Sequence, residues 1–328
     1  MQSLRLFHTH DLRRTDGPMP SPTMGEVLVK VTAAGVCGTD RHLFHGEFPC
    51  SPPVTLGHEF SGIVVQSDDP TLPIGTAIAC DPNIACHTCA PCLSGRPNLC
   101  TQLCAIGVHR DGGFADYVAM PAHRAFRLPV GLDPIHAALA EPLACTLHGT
   151  DLATIRPGQR AIVIGGGVIG LMALQLLQAS GAQVMMVTRS DIRRKLAEDL
   201  GAIATAATPE AALQHWPEGA DAVLECAGTI PTVEAAPHLT ARGGRAIILG
   251  VLPAGSRASI DPLSLLTREI DLRFSFLNPF TMDRALTLLA NGTIAAARLI
   301  TRTVPLADLA RVITHPAGPA DIRVLALP

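Results

Sequence analysis

Short apolar runs separated by proline and glycine fill the first 140 residues of the chain. Residues 26–32 (E-V-L-V-K-V-T) and 62–66 (G-I-V-V-Q) are examples, and turn-forming residues lie between such runs. Runs of this length in this setting are typical of β-strands. The pattern therefore predicts a mostly antiparallel, barrel-like β domain over residues 1–142.

Beyond that point the pattern changes to a buried strand followed by a helix. Residues 160–164 (R-A-I-V-I) have the composition of a buried strand, and similar strand segments begin near residues 183, 221 and 244. Such alternation predicts a parallel, doubly wound sheet, which we place at residues 143–279. We expect residues 280–328 to form a helix and a last strand that returns to the first domain.

A glycine-rich loop joins the first of these strands to its helix. It has the spacing G-x-G-x-x-G with Gly165, Gly167 and Gly170, and Val168 and Ile169 lie between the last two glycines. With a strand before it and a helix after it, this spacing is typical of dinucleotide binding. The phosphates of the cofactor would lie at the N-terminus of the helix.

The end of the second strand predicts which nicotinamide cofactor is bound. NAD sites usually carry an Asp or Glu there, whereas this chain has Thr188 and Arg189, with Arg193 one helical turn later. Hydroxyl and guanidinium groups can bind a 2′-phosphate that a carboxylate would repel, so the sequence favours NADP and leaves NAD possible. We expect further cofactor contacts at the ends of later strands, from Cys226, Gly250 and Val251.

One candidate metal site lies between residues 35 and 60. Cys37, His58 and Glu59 offer a thiolate, an imidazole and a carboxylate, a mixture that suits zinc. A lone Cys and His are more often buried core residues, but this otherwise apolar segment also contains Asp40 and other polar residues. Asp40 could hold the second ring nitrogen of His58, as carboxylates do beside many metal-bound histidines.

A second cysteine group lies at residues 80–104. Four closely spaced thiols in a chain that turns back on itself predict a closed structural zinc site, formed by Cys86, Cys89, Cys92 and Cys100. Three neighbours are expected to stay outside it because four thiolates fill the coordination shell: Cys80, His87 and Cys104.

Composition narrows the possible functions further. The 328 residues suffice for two domains, and the 48% hydrophobic and 16% charged content indicates a large core. A net charge of −3 gives no sign of nucleic-acid or membrane binding, and no run of about 18 apolar residues could span a bilayer. Arginines interrupt the N-terminal apolar run, so we expect no secretory signal. Ten cysteines then indicate a reducing compartment, which we take to be the cytoplasm.

Together these motifs identify the chain by resemblance. It resembles the zinc-containing medium-chain dehydrogenase/reductases, the alcohol and polyol dehydrogenase family, over essentially its whole length. The shared motifs are G-V-C-G-T-D-R-H (35–42), L-G-H-E-F-S-G (56–62), the four-cysteine group, D-G-G-F-A-D-Y-V (111–118), E-P-L-A-C-T-L-H (141–148) and the glycine loop. The resemblance implies an α/β fold with a GroES-like catalytic domain and a Rossmann cofactor domain, and a homodimer or homotetramer.

The resemblance also implies which residues hold the catalytic zinc. Cys37 and His58 match two of its ligands, and Glu59 matches a carboxylate that binds the metal or exchanges with water. Glu141 matches a position that is Glu in the sorbitol and threonine dehydrogenase-like branch. Whether Glu59 or Glu141 binds zinc directly stays open.

The same resemblance implies the reaction. Zinc would acidify a bound alcohol, hydride would pass to the nicotinamide, and Thr39 and His42 would carry the alcohol proton to solvent. A polyol, sugar alcohol or other secondary alcohol is the expected small-molecule substrate. Sorbitol and threonine themselves are not indicated. The chain lacks the Arg-Tyr pair of sorbitol dehydrogenases and the early Trp of threonine dehydrogenases.

Other classes of protein account for fewer of these features. A zinc-free reductase of the same superfamily lacks the metal ligands, and a zinc-ribbon nucleic-acid module does not account for the strand-glycine-helix unit or the acidic balance. A carbonyl reductase with the same zinc site and a non-catalytic cofactor sensor stay as alternatives.

Overall fold

The computed structural model describes residues 1–318 and 320–328. The chain forms two units: the first contains residues 1–142 and 282–328, and the second contains residues 143–281. Each unit has its own apolar core.

In order along the chain, the strands are β1 (Gln2–His8), β2 (Asp11–Asp16), β3 (Glu26–Gly35), β4 (Val54–Thr55), β5 (Glu59–Ser67), β6 (Ala77–Cys80), β7 (Asn83–Ile84), β8 (Cys104–Ala105), β9 (Tyr117–Pro121), β10 (Ala125–Arg127), β11 (Arg160–Ile164), β12 (Gln183–Val187), β13 (Ala204–Ala206), β14 (Ala220–Glu225), β15 (Thr240–Ile248), β16 (Asp271–Phe274), β17 (Ile300–Pro305) and β18 (Arg323–Leu327). Strands β1–β10 and β17–β18 belong to the first unit, and strands β11–β16 belong to the second.

The helices connect these strands. They are α1 (Gly38–His45), α2 (Ala90–Leu93), α3 (Pro134–Ala137), α4 (Ala140–Ala153), α5 (Val168–Ala179), α6 (Asp191–Asp199), α7 (Pro209–His215), α8 (Ile230–Leu239), α9 (Pro262–Arg268), α10 (Met282–Ala290), α11 (Ala296–Leu299) and α12 (Leu309–Thr314). Short 3-10 turns lie at Pro97–Leu99, Ala122–Arg124 and Leu306–Asp308. Among the residues described, no helix is long and apolar enough to cross a membrane.

The first unit is built on a seven-stranded sheet with the order β10-β6-β5-β3-β18-β17, in which β9 also pairs with β3. Its pairs are antiparallel except for β17 and β18, so the predicted antiparallel β domain is confirmed. Smaller sheets, β2-β1-β4 and β7-β8, complete this unit. The predicted last strand does return here, since β18 lies between β3 and β17, and the predicted helix after residue 280 is α10.

The second unit is a six-stranded parallel sheet with the order β13-β12-β11-β14-β15-β16. Strand order reverses between β11 and β14, and ligands of such sheets bind outside the carboxyl ends of the strands at that point. The doubly wound sheet predicted from the strand-helix alternation is therefore confirmed. The loop after β11 lies at this reversal.

Candidate active site

The pairing of β3 with β5 brings the first set of candidate ligands together. Gly35 at the end of β3 faces Glu59 at the start of β5, so Cys37 and His58, two residues beyond and one before, lie side by side. The candidate ligand atoms of Cys37, His58 and Glu59 all lie within 4.8 Å of one another. Far-separated segments of sequence thus meet at one buried point.

Helix α1 holds Cys37 at this point. Cys37 is the N-cap residue of the helix, and its backbone N–H donates to Asp40 Oδ2 at 2.8 Å. The other oxygen, Asp40 Oδ1, lies 3.6 Å from His58 Nδ1. The helix start therefore fixes the thiol and places a carboxylate beside the imidazole, as predicted for the tautomer of a metal-bound histidine.

Two carboxylates, Asp40 and Glu59, are buried at the site beside His58. Burial raises the pKa of Asp40 to about 6, although His58 opposes this. Burial would lower the pKa of His58, but Asp40, Cys37 and Glu59 outweigh it and hold that pKa well above its usual range. The groups around His58 thus stabilise a positive charge at this point.

A buried arginine compensates part of this negative charge. Arg323, the first residue of β18, places Nη1 2.7 Å from Glu59 Oε2, and the two side chains are 3% and 1% exposed. The same nitrogen donates to the Val36 carbonyl at 2.5 Å. Sequence reasoning missed Arg323, because nothing near residue 323 signals a partner close to residue 59.

The donor set fits a zinc ion. Within the described part of the chain, Asp40 Oδ1 and His58 Nδ1 are buried without a hydrogen bond. Thiolate, imidazole and carboxylate at one point match the donors that zinc accepts. Zinc would be held by Cys37 and His58 together with a carboxylate.

Glu141 lies near this cluster without joining its ligand group. It is the second residue of α4 and is buried, and its carboxylate is not among the ligand atoms gathered within 4.8 Å. Its charge nevertheless acts on the arginine: burial lowers the pKa of Arg323, but Glu59, Cys37 and then Glu141 raise it overall.

The predicted proton carriers share the site's helix. Thr39 Oγ1 lies 3.6 Å from Cys37 Sγ. His42 follows three residues later, which places both side chains on one face of α1. His42 Nδ1 lies 2.6 Å from Glu47 Oε2, a partner that the sequence analysis did not find.

The four cysteines of the second group come together in the loops around α2. Their sulfurs lie within 4.8 Å of one another, with 3.4 Å from Cys89 to Cys92 and 3.9 Å from Cys89 to Cys100. Four sulfurs around one zinc ion stand about 3.8 Å apart at tetrahedral angles. The spacing of this group therefore fits a zinc ion.

Thiol acidity in this group also suits a bound cation. Hydrogen bonds with Thr88 and Cys89 lower the pKa of Cys86 to about 5, whereas burial and neighbouring thiols raise the pKa of Cys92 to about 12. Thiols so close together cannot all ionise without a compensating charge. A divalent metal would supply it.

The glycine loop has the geometry that its motif predicts. Gly165 follows β11 with φ +109, and a Cβ on Gly170 would stand 1.8 Å from the Gly165 carbonyl oxygen, so only glycine fits there. Gly167 is the N-cap of α5, and a Cβ on it would meet nothing within 4 Å. The space in front of Gly167 is therefore open, as the approach of a pyrophosphate requires.

The remaining cofactor candidates lie at the carboxyl ends of the sheet. A Cβ on Gly165 would lie 2.9 Å from the Cys226 carbonyl carbon, and one on Gly228 would lie 2.6 Å from the Val251 carbonyl oxygen. Glu225, which sequence reasoning missed, accepts hydrogen bonds from the Ala227 and Gly228 N–H groups at 2.8 and 2.9 Å.

Gly250 is packed closely against the same segment, because a Cβ on it would lie 2.3 Å from Gly228 N and 2.4 Å from Glu225 Oε2.

Thr188 and Arg189 follow β12, and the adjacent arginines differ in their roles. Arg194 donates to the Thr188 carbonyl at 2.6 Å and pairs with Asp191, so it supports the turn. Arg189 is exposed, and Arg193 packs against the loop: a Cβ on Gly166 would lie 3.0 Å from Arg193 Cβ.

Comparison with known families identifies both halves of the chain. Residues 23–130 match the alcohol dehydrogenase GroES-like domain, and residues 168–291 match the zinc-binding dehydrogenase family. The first segment contains Cys37, His58 and Glu59, and the second begins at Val168, within the glycine loop.

Individual relatives align over nearly the whole chain. A D-altritol 5-dehydrogenase of Agrobacterium fabrum is 35% identical over 317 residues, 94% of each chain. An L-galactonate-5-dehydrogenase of Escherichia coli is 33% identical and covers 89% of this chain and 88% of its own. A zinc-binding dehydrogenase of Sinorhizobium meliloti, solved bound to NADP, is 45% identical with a TM-score of 0.97, covering 100% of this chain and 99% of its own.

Proposed function

The chain belongs to the zinc-containing medium-chain dehydrogenase/reductase family, in its polyol dehydrogenase branch, and from that premise we propose its reaction, cofactor and substrate class. We propose that it transfers hydride between a secondary alcohol and NADP at a zinc ion held by Cys37 and His58. The observation that carries this proposal is the cluster of half-buried Cys37 with buried His58 and Glu59, whose candidate ligand atoms all lie within 4.8 Å of one another.

Each polar residue of this cluster has a proposed task. When bound, zinc supplies Lewis acidity that makes the hydroxyl of an alcohol easier to deprotonate. Asp40 orients His58 through Nδ1. Thr39 and His42, on one face of α1, accept the proton that leaves the alcohol and pass it to water.

Two carboxylates are proposed at the metal. Glu59 has an oxygen in the ligand group and forms an ion pair with Arg323. Glu141, on α4, raises the pKa of the same arginine. The zinc content of the Glu59→Gln and Glu141→Gln variants would show which carboxylate binds the metal directly, because loss of a direct ligand lowers metal affinity the most.

We propose a second, structural zinc ion at Cys86, Cys89, Cys92 and Cys100, supported by their sulfur spacing. Four thiolates leave no open position, so this ion would stabilise the loops and take no part in the reaction.

For the cofactor we propose NADP in preference to NAD. The positions after β12 carry Thr188 and Arg189 and no carboxylate, and the Sinorhizobium meliloti relative was solved with NADP. The glycine loop would hold the pyrophosphate, and Arg189 and Arg193 would bind the 2′-phosphate.

We propose a linear polyol or sugar acid as substrate, oxidised at a secondary carbon. Two relatives are named for reactions at carbon 5, of D-altritol and of L-galactonate. A carbonyl reductase using the same site is the second candidate, since the same groups serve hydride transfer in either direction.

We also propose that two copies of the chain join through the edge of the parallel sheet. Strand β16 is an edge strand, and Leu263, Leu266 and Phe274 on β16 and the adjacent α9 are 69%, 73% and 68% exposed. Exposed edges and apolar patches are typical of association surfaces. We also propose a cytoplasmic location and domain limits near residues 142 and 279, close to the boundaries of the two units after residues 142 and 281.

Zinc analysis combined with an activity panel tests the proposal. We expect two zinc ions per subunit and oxidation of D-altritol, L-galactonate or related compounds with NADP. Cys37→Ser should lose one zinc and all turnover while keeping cofactor binding, and Cys100→Ser should lose the other zinc. Cys50→Ser, at a half-buried thiol outside both groups, serves as the control. Turnover retained by Cys37→Ser would contradict the proposed site.

A further inference from the structure

The end of helix α1 folds Glu47 back onto His42. Gly46 ends the helix with φ 73, and its N–H donates to the Leu43 carbonyl at 3.1 Å. Glu47 N–H then donates to the His42 carbonyl at 2.8 Å. This left-handed helix end reverses the chain, so two residues five apart in the sequence meet.

Glycine is required at this reversal for a second reason. A Cβ on Gly46 would stand 2.9 Å from Thr9 Oγ1, so the turn is also packed against the segment after β1. The position of Glu47 is therefore set by the backbone of the helix end and by its packing.

The contact between the two side chains fixes the state of the imidazole. His42 Nδ1 lies 2.6 Å from Glu47 Oε2. An ionised carboxylate can only accept hydrogen bonds, so Nδ1 must carry the hydrogen. In a neutral imidazole the other nitrogen, Nε2, is then the acceptor.

We propose that Glu47 is a positioning residue for proton transfer, holding His42 in the tautomer whose Nε2 can accept the proton that leaves the substrate alcohol. This rests on the proposed function, in which Thr39 and His42 carry that proton. Nε2 gains one proton and the ring gains one positive charge, which the Glu47 carboxylate balances at 2.6 Å until a proton passes to water.

If the contact between His42 and Glu47 were purely structural, its loss would lower the stability of the protein and leave proton transfer unchanged. The His42 and Glu47 side chains are 24% and 41% exposed, and ion pairs at such positions add little to stability. Removing the carboxylate should therefore leave the fold intact. An effect on turnover would then report on the imidazole.

The test uses the zinc-loaded full chain with Glu47→Ala and Glu47→Gln, and Glu218→Ala, an exposed glutamate of the other unit, as the control. With D-altritol, or the best-oxidised compound of the panel, Glu47→Ala should lower kcat about tenfold or more with little change in KM. Glu47→Gln should recover most of the rate, because its amide oxygen accepts the same hydrogen. Added acetate should partly restore Glu47→Ala, whereas His42→Ala should not respond to it.

Nitrogen-15 NMR of the His42 ring provides a measurement that does not depend on turnover. We expect the Nδ1–H tautomer in the wild type and a mixture in Glu47→Ala. An Nε2–H tautomer in the wild type, or an unchanged kcat in Glu47→Ala, would overturn the inference. If the wild type oxidises no compound of the panel, the proposed function fails, while the tautomer still decides whether Glu47 sets the state of His42.

Discussion

Arg323 and Glu59 form a buried ion pair, with Nη1 2.7 Å from Oε2 and the side chains 3% and 1% exposed. The pair joins β18 to the start of β5, directly beside His58. A carboxylate buried among other negative groups needs such a partner, because an unpaired buried charge is costly.

Loss of this arginine should destabilise the first unit. Arg323→Met leaves Glu59 unpaired, and we expect the free energy of unfolding to fall by about 3–5 kcal/mol, measured by urea denaturation. Arg302→Met removes an exposed pair with Asp321, of 3.0 Å, and should cost less than about 1 kcal/mol. Equal losses in the two variants would show that burial of the pair is unimportant.

Cofactor preference should follow the residues after β12. Thr188→Asp with Arg189→Ile introduces a carboxylate and removes a cation, so the ratio of kcat/KM for NADP over NAD should fall by about tenfold or more. Lys195→Ile, on an exposed face of the following helix, controls for loss of positive charge. A ratio unchanged in the double variant would mean that these residues do not contact the ribose.

Stability should depend on pH through Glu225. Burial raises the pKa of Glu225 above its ordinary value of 4.5, although hydrogen bonds from Thr232, Gly228 and Ala227 oppose the shift. The folded state thus favours the protonated form, and this contribution to stability is full below pH 4.5 and is lost as pH rises through the raised pKa.

Glu225→Gln, which keeps an acceptor for the backbone N–H groups, should remove that dependence. Relative to this variant the wild type should lose stability as pH rises from 4.5 towards neutrality, by thermal or urea unfolding at several pH values. Parallel curves for the two proteins would mean that Glu225 has the same pKa folded and unfolded.

A charged residue introduced into the proposed association surface should prevent the two copies from joining. Leu266→Glu on α9 places a carboxylate on the exposed apolar patch and should shift the protein to monomers in sedimentation experiments. Leu93→Glu, on an equally exposed leucine of the other unit at 75% exposure, should leave the oligomeric state as it is. A monomeric wild type would contradict the proposed association, and an assembly that survives Leu266→Glu would place the contact elsewhere.

Local patterns were enough to predict the parts of the fold that depend on nearby residues. The glycine loop, the parallel sheet and the four-cysteine group each lie within one stretch of sequence. Arg323 could not be found this way, because its meeting with Glu59 depends on β18 pairing with β3. Glu47 carried a usable local signal, a glycine directly after a helix, which predicts a chain reversal.

The position of β18 also has a consequence for protein synthesis. Residues 143–281 form a continuous segment, so this unit can fold as soon as it leaves the ribosome. The first unit must wait, since β18 supplies Arg323 and the neighbour of β3 only after that whole insertion has been translated. The zinc-binding cluster is therefore completed late, and a nascent chain would hold Cys37, His58 and Glu59 without their buried arginine for most of its synthesis.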